Sequence, residues 1–238
     1  MKRITSGAGV PPVKRCRPRG HSPLWSLRVL EVASIFGLDL DHLHDAARVF
    51  DRAALDRADA LASWLAPGAI VLLTGPSGSG KSTLLRAIVE RLSHRGRAVI
   101  DPGDVEIDES ECVIETIAGS TEERCALLAR VGLAEARLLV SPVRRLSEGQ
   151  RARLRTALAF DAARRPGGSA SSVSPGDAAA VIVIDEFLSP LDRVTACCVA
   201  RSVSRLTRAS TCSLLVATSH DDLAAALTPD VHERLEFA

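Results

Sequence analysis

Tyrosine and asparagine are absent from this chain of 238 residues, and glutamine and methionine occur once each, as Gln150 and Met1. Without Asn there is no acceptor for N-glycosylation. Without Tyr there is no Tyr-rich recognition surface. Lysine is almost missing as well: Lys2, Lys14 and Lys81 are the whole set, and every other basic residue is Arg. A Lys or a Gln in mid-chain therefore needs a reason. Long apolar runs are lacking too. The run Ala178–Ile184 is far below the roughly 18 residues that a membrane span requires. Leu24–Leu38 is interrupted by Arg28 and Glu31, so it does not read as the apolar core of a secretion signal. Cysteines 16, 112, 125, 197, 198 and 212 form no CxxC pair, which reads as free thiols in a reducing cytosol. A formal net charge of +1 supplies no global field for nucleic acid or membrane.

The chain has the length of one compact domain behind a tail. Residues 1–23 carry Lys2, Arg3, Lys14, Arg15, Arg17 and Arg19 with no acid, and read as a disordered basic arm, with a nucleic-acid contact as the sharper alternative. Leu24–Leu38 has helical spacing, and Asp39–Leu65 is left open between helix and strands. Ala69–Thr74, Val181–Ile184 and Ser213–Thr218 are short β-rich apolar runs, as buried strands require. Val99–Ile107 is expected as a further strand. Helices are expected over Lys81–Ser93, Thr121–Leu139 with a break near Gly132, Glu148–Arg165, Leu188–Arg208 and Asp221–Leu227. Residues 166–177 are rich in Gly, Ser and Pro and read as a surface loop. Strands alternating with helices imply βαβ units, and hence an α/β fold with a mainly parallel sheet flanked by helices. His42 and His44 have no evident third ligand and read as surface residues.

One stretch carries chemistry on its own. Gly75, Pro76, Ser77, Gly78, Ser79, Gly80, Lys81 and Ser82, followed by Thr83, match G-x-x-x-x-G-K-[ST] between an expected strand and an expected helix. The glycines let successive N–H groups point at phosphate oxygens, and the helix start adds its positive end. Lys81 supplies a compact charge, and the Ser82 hydroxyl is a ligand for Mg²⁺. Four apolar residues then lead into Asp185 and Glu186. A strand ending there puts Asp185 beside the metal and leaves Glu186 to polarise the attacking water.

Leu146-Ser147-Glu148-Gly149-Gln150 resembles the LSGGQ signature of ATP-binding-cassette (ABC) ATPases, with Glu148 in place of the first Gly. Ser189-Pro190-Leu191-Asp192 resembles the D-loop of that family, and Thr218-Ser219-His220-Asp221 its switch histidine. Residues 127–133 are similar to the segment that precedes the signature. The resemblance spans residues 66–222. It implies a P-loop NTPase fold over residues 24–238 with a small helical subdomain near 116–150. It implies ATP and Mg²⁺ as cofactors, ATP hydrolysis as the activity, and an ATP-dependent homodimer that sandwiches two nucleotides. Gly75–Ser82, Asp185, Glu186 and His220 would act on the nucleotide of their own domain; Ser147 and Gly149 would reach the γ-phosphate across the interface, and Thr83, Gln150 and Asp192 would complete the nucleotide-binding set. A Ser-x-Gly turn at a helix start is an anion site in its own right.

Two departures follow from the missing residue types. The family's metal-sensing Gln has no counterpart; Glu115 falls near its place, as a holder of a metal-bound water or as a solvated acid. The aromatic under adenine cannot be Tyr; Phe50 is a candidate, with core packing the alternative. The order of motifs also resembles a little-characterised soluble group, some of whose members are fused to an acetyltransferase domain. The expectation is a cytoplasmic ATPase without a membrane span of its own, acting on a protein or nucleic-acid partner. A transporter subunit, a small-molecule P-loop kinase and a nucleotide-sensing module are the alternatives.

Overall fold

The computed structural model describes residues 26–38, 40, 52–165 and 179–236. The basic arm, Cys16, His42, His44, Phe50 and the loop at 166–177 lie outside the described residues. The chain divides into two units, residues 1–49 and 50–238. In the first, helix α1 (Leu27–Phe36) begins at Ser26, whose hydroxyl accepts the Val29 N–H at 3.4 Å, and ends at Gly37. These caps make it shorter at both ends than apolar spacing suggested.

The second unit runs α2 (Arg52–Ser63), β1 (Ile70–Thr74), α3 (Lys81–His94), β2 (Val99–Ile100), α4 (Thr121–Arg130), α5 (Ala136–Leu139), α6 (Glu148–Arg164), β3 (Val181–Ile184), α7 (Arg193–Arg208), β4 (Ser213–Thr218), α8 (Leu223–Leu227) and β5 (Val231–Arg234). The strands form one sheet in the order β2-β3-β4-β1-β5, with every neighbouring pair parallel. Successive residues of β1 serve opposite cores. Ile70 and Leu72 pack with α4, α6, α7 and α8, while Val71 and Leu73 pack with α2 and α3. That is why the central strands are apolar without alternation. Truncating a fully buried residue such as Leu72 to Ala would cost about 2–5 kcal/mol.

Two expectations need correction, one open stretch resolves and one strand is new. The strand expected over 99–107 stops at Ile100, because a 3₁₀ turn starts at Pro102 and Asp101 Oδ1 accepts the Gly103 N–H at 2.7 Å. The helix expected from Leu188 begins only at Arg193. Leu188 has φ 58°, and Asp192 is the cap, accepting the Thr195 N–H at 3.0 Å. The ambiguous stretch before β1 contains helix α2. Strand β5 was not anticipated, since His232, Glu233 and Arg234 give it no apolar run. As an outer strand it buries less than its neighbours.

Candidate functional site

Three neighbouring strands, β3, β4 and β1, deliver the predicted residues to one end of the sheet. Asp185 and Glu186 follow β3, His220 follows β4, and Gly75 follows β1. This carboxyl end is where open parallel sheets bind ligands. Gly75 has φ 150°, and a Cβ there would lie 2.3 Å from the Leu235 carbonyl oxygen and 2.8 Å from Ser79 Oγ. Only glycine fits. Gly80 caps α3 at φ 89° without a side-chain hydrogen bond. The N–H groups of the first turn are thus left for an anion. Lys81 Nζ donates to the Gly75 and Pro76 carbonyls at 2.8 and 2.7 Å, so its charge lies folded over the loop. The Ser79 hydroxyl is buried in that loop with no hydrogen-bond partner. Pro76, Ser77 and Gly78 form the exposed rim, Ser82 is half-buried, and Thr83 is exposed.

The turn after β3 is strained. Glu186 and Leu188 hold φ of 52° and 58°, a region that costs a non-glycine residue about 1 kcal/mol or more. Fully buried Phe187 lies between them, and its N–H donates to the Ala217 carbonyl of β4 at 2.8 Å. The Glu186 N–H donates to Asp185 Oδ1 at 3.0 Å. Both carboxylates face solvent. The oxygen donors at this end, the Ser82 hydroxyl and the Asp185 carboxylate, are of the type Mg²⁺ takes together with phosphate oxygens. Among the described residues no cluster of three or more His, Cys, Asp or Glu could hold a metal by itself.

The turn after β4 is tied down from two directions. The His220 N–H donates to Thr218 Oγ1 at 3.3 Å. Arg234 of β5 pairs with Asp221, and Arg193 pairs with Asp222. The Thr74 hydroxyl, at the end of β1, and the Arg234 guanidinium together hold the Asp221 carboxyl below the usual carboxylate range. The Arg193 guanidinium does the same for Asp222. Thr74 Oγ1 is also 2.8 Å from His232 Nε2. Sequence reasoning missed Thr74, Arg193, Asp222, His232 and Arg234. Two adjacent acids directly after His220 were the available signal; nothing local marks Arg234.

A second group forms around α6. Ser147 Oγ accepts the Gln150 N–H at 3.3 Å, and Gln150 Oε1 accepts the Ser147 N–H at 2.9 Å, a closed capping box. Gly149 lies against the segment before α7, since a Cβ there would be 2.7 Å from Leu191 Cδ2. The signature turn and the Leu191–Asp192 loop are therefore neighbours. Glu115 stands in the 3₁₀ turn Val113–Thr116, paired with Arg124 of α4 at 2.6 Å.

The profile described as "ABC transporter" matches residues 59–125. The lipoprotein-releasing system ATP-binding protein LolD of Maricaulis maris (strain MCS10) is 33% identical over 195 residues, which cover 67% of this chain and 78% of that one. The chain belongs to the ABC family. It is an ATP-hydrolysing P-loop protein of that type. A putative type II secretion system protein E of Escherichia coli (strain K12) is 35% identical over 92 residues, 34% of this chain and 19% of that protein. Among solved structures, a putative ABC transporter ATP-binding protein from Pyrococcus furiosus superposes at a TM-score of 0.53 and 17% identity, covering 72% of this ABC ATPase and 86% of that chain. That likeness concerns the fold alone. Among the described residues of the ABC ATPase, no helix is long and apolar enough to cross a membrane.

Proposed function

We propose that this ABC ATPase is a soluble, cytoplasmic engine whose folded domain spans residues 24–238, with a small helical subdomain near 116–150. Two copies would close head to tail around two ATP molecules and so drive a conformational change in a protein or nucleic-acid partner. The observation that carries the reading is the convergence of the Gly75–Ser82 loop, Asp185–Glu186 and His220 at one end of three adjacent strands. In the nucleotide complex, Lys81 exchanges the Gly75 and Pro76 carbonyls for phosphate oxygens. Ser82 and Asp185 would hold Mg²⁺, which supplies charge neutralisation at the phosphates. Glu186 orients the attacking water as general base, and His220 holds the γ-phosphate side of that arrangement. Ser147 and Gly149 offer the α6 start to the γ-phosphate of the other copy.

Glu186→Gln keeps the shape of the side chain and removes its basicity. Turnover should fall by about 10²–10⁴-fold, and an ATP-dependent dimer should accumulate on size exclusion. Lys81→Ala should bind no ATP and form no dimer. A monomeric Glu186→Gln protein in saturating ATP and magnesium would sink the sandwich reading.

One observation favours a second reading. The identity to a lipoprotein-releasing system ATP-binding protein supports a subunit that docks on a membrane partner. Detergent extraction followed by co-purification with the Glu186→Gln trap separates the two. An integral membrane protein retained in stoichiometric amount supports the subunit. Family membership sets aside the small-molecule kinase.

A further inference from the structure

The turn that carries His220 is four residues long, Ser219–Asp222, and its two acidic members are each held by an arginine from a different element. Arg234 reaches Asp221 from the outer strand β5, and Arg193 reaches Asp222 from the first position of α7. Asp192, which precedes Arg193, caps α7, and Leu191 lies against Gly149 of the signature turn. One tether therefore comes from the flank of the phosphate loop and the other from the loop beside the signature. All four side chains are roughly half exposed: 63% and 48% for Arg234 and Asp221, 39% and 53% for Arg193 and Asp222. Pairs this exposed contribute little to global stability. What they do fix is the direction in which a short turn presents His220.

Thr74 is fully buried. Its Oγ1 lies 2.8 Å from His232 Nε2 of β5, and Arg234, two residues on in the same strand, closes on Asp221. Thr74 directly precedes Gly75, and the Leu235 N–H donates to the Thr74 carbonyl at 2.7 Å. The same residue thus joins the phosphate loop to the outer strand, and its register partner on β4, Thr218, leads into the His220 turn.

We infer that Arg193 and Arg234 are positioning residues for hydrolysis, a two-sided clamp that sets the His220 turn against the phosphate loop. This rests on the reading of His220 as a γ-phosphate contact. The experiment compares Arg193→Asp, Asp222→Arg and their double exchange, together with Arg234→Ala, Arg234→Lys, Thr74→Val and His220→Ala. For each, kcat, affinity for a fluorescent ATP analogue and Tm are measured. A displaced turn should lower kcat by about tenfold in Arg193→Asp, Arg234→Ala and Thr74→Val. Analogue affinity should stay within about twofold, and Tm should hold to within about 2 °C in the two arginine variants, whose pairs are exposed, while buried Thr74→Val is judged on kcat against affinity. The double exchange and Arg234→Lys should recover most of the lost kcat. If kcat stays within twofold in the single variants, or falls in step with affinity and Tm, the clamp is overturned. His220→Ala distinguishes the two failures. Loss of turnover there with intact clamp variants defeats the clamp alone; retained turnover defeats the reading of His220 and the clamp with it.

Discussion

Helices α3 and α6 both open on a Gly/Ser turn that the sequence marks as an anion site, yet the two turns are built in opposite ways. The start of α3 has no side-chain cap, no acid in its first turn and a folded-over lysine. The start of α6 is satisfied from within. Ser147 and Gln150 bond each other's backbone, and Glu148 places a carboxylate in the first turn. A carboxylate there suits the helix dipole, so it already does electrostatically what a phosphate would do. The first turn is open to a ligand at all times. The second is a stable cap that has to share, and it suits a contact made only when a second copy brings the phosphate to it.

This contrast can be broken in three places. The largest effect should come from Gly75→Ala. A methyl group 2.3 Å from the Leu235 carbonyl, at φ 150°, cannot be accommodated without moving backbone. Stability should drop by about 3 kcal/mol in urea unfolding, and nucleotide binding should vanish with it. Next, Glu148→Gly removes the competing charge from α6. In a Glu186→Gln background, the ATP-dependent dimer should form at about tenfold lower protein concentration by analytical ultracentrifugation. An unchanged dimerisation constant would mean that the carboxylate does not compete. The smallest effect belongs to Ser147→Ala. Loss of the cap should cost about 1 kcal/mol, read as a Tm lower by about 3 °C, with ATP binding to the isolated monomer unaltered. A Tm that does not move would show that the capping box adds nothing.

The inner strands were legible because residues buried on both faces must be apolar, and β1, β3 and β4 are. The motif residues were legible because each is tied to its strand end by a few residues of chain. Strand β5 was not, since its outer position lets His232, Glu233 and Arg234 stand where a central strand would need Val or Ile. The start of α7 was misread because apolar residues at 187 and 188 continue a helical pattern that the left-handed turn breaks. The tethers on the His220 turn come from long-range pairs such as Arg234 with Asp221, which periodicity does not encode.

The close approach of Leu235 to Gly75 also orders events in time. The phosphate loop lies at residues 75–82, but the strand that flanks it, residues 231–234, is the last of the described strands to be synthesised. A ribosome-bound chain can pair β1 with β4 once residue 218 has emerged, yet the wall beside Gly75 waits for Leu235. Nucleotide competence is thereby deferred until residue 235 has been added. An incomplete chain that resembles the finished protein in its core would still lack the bond from Leu235 that fixes the end of β1.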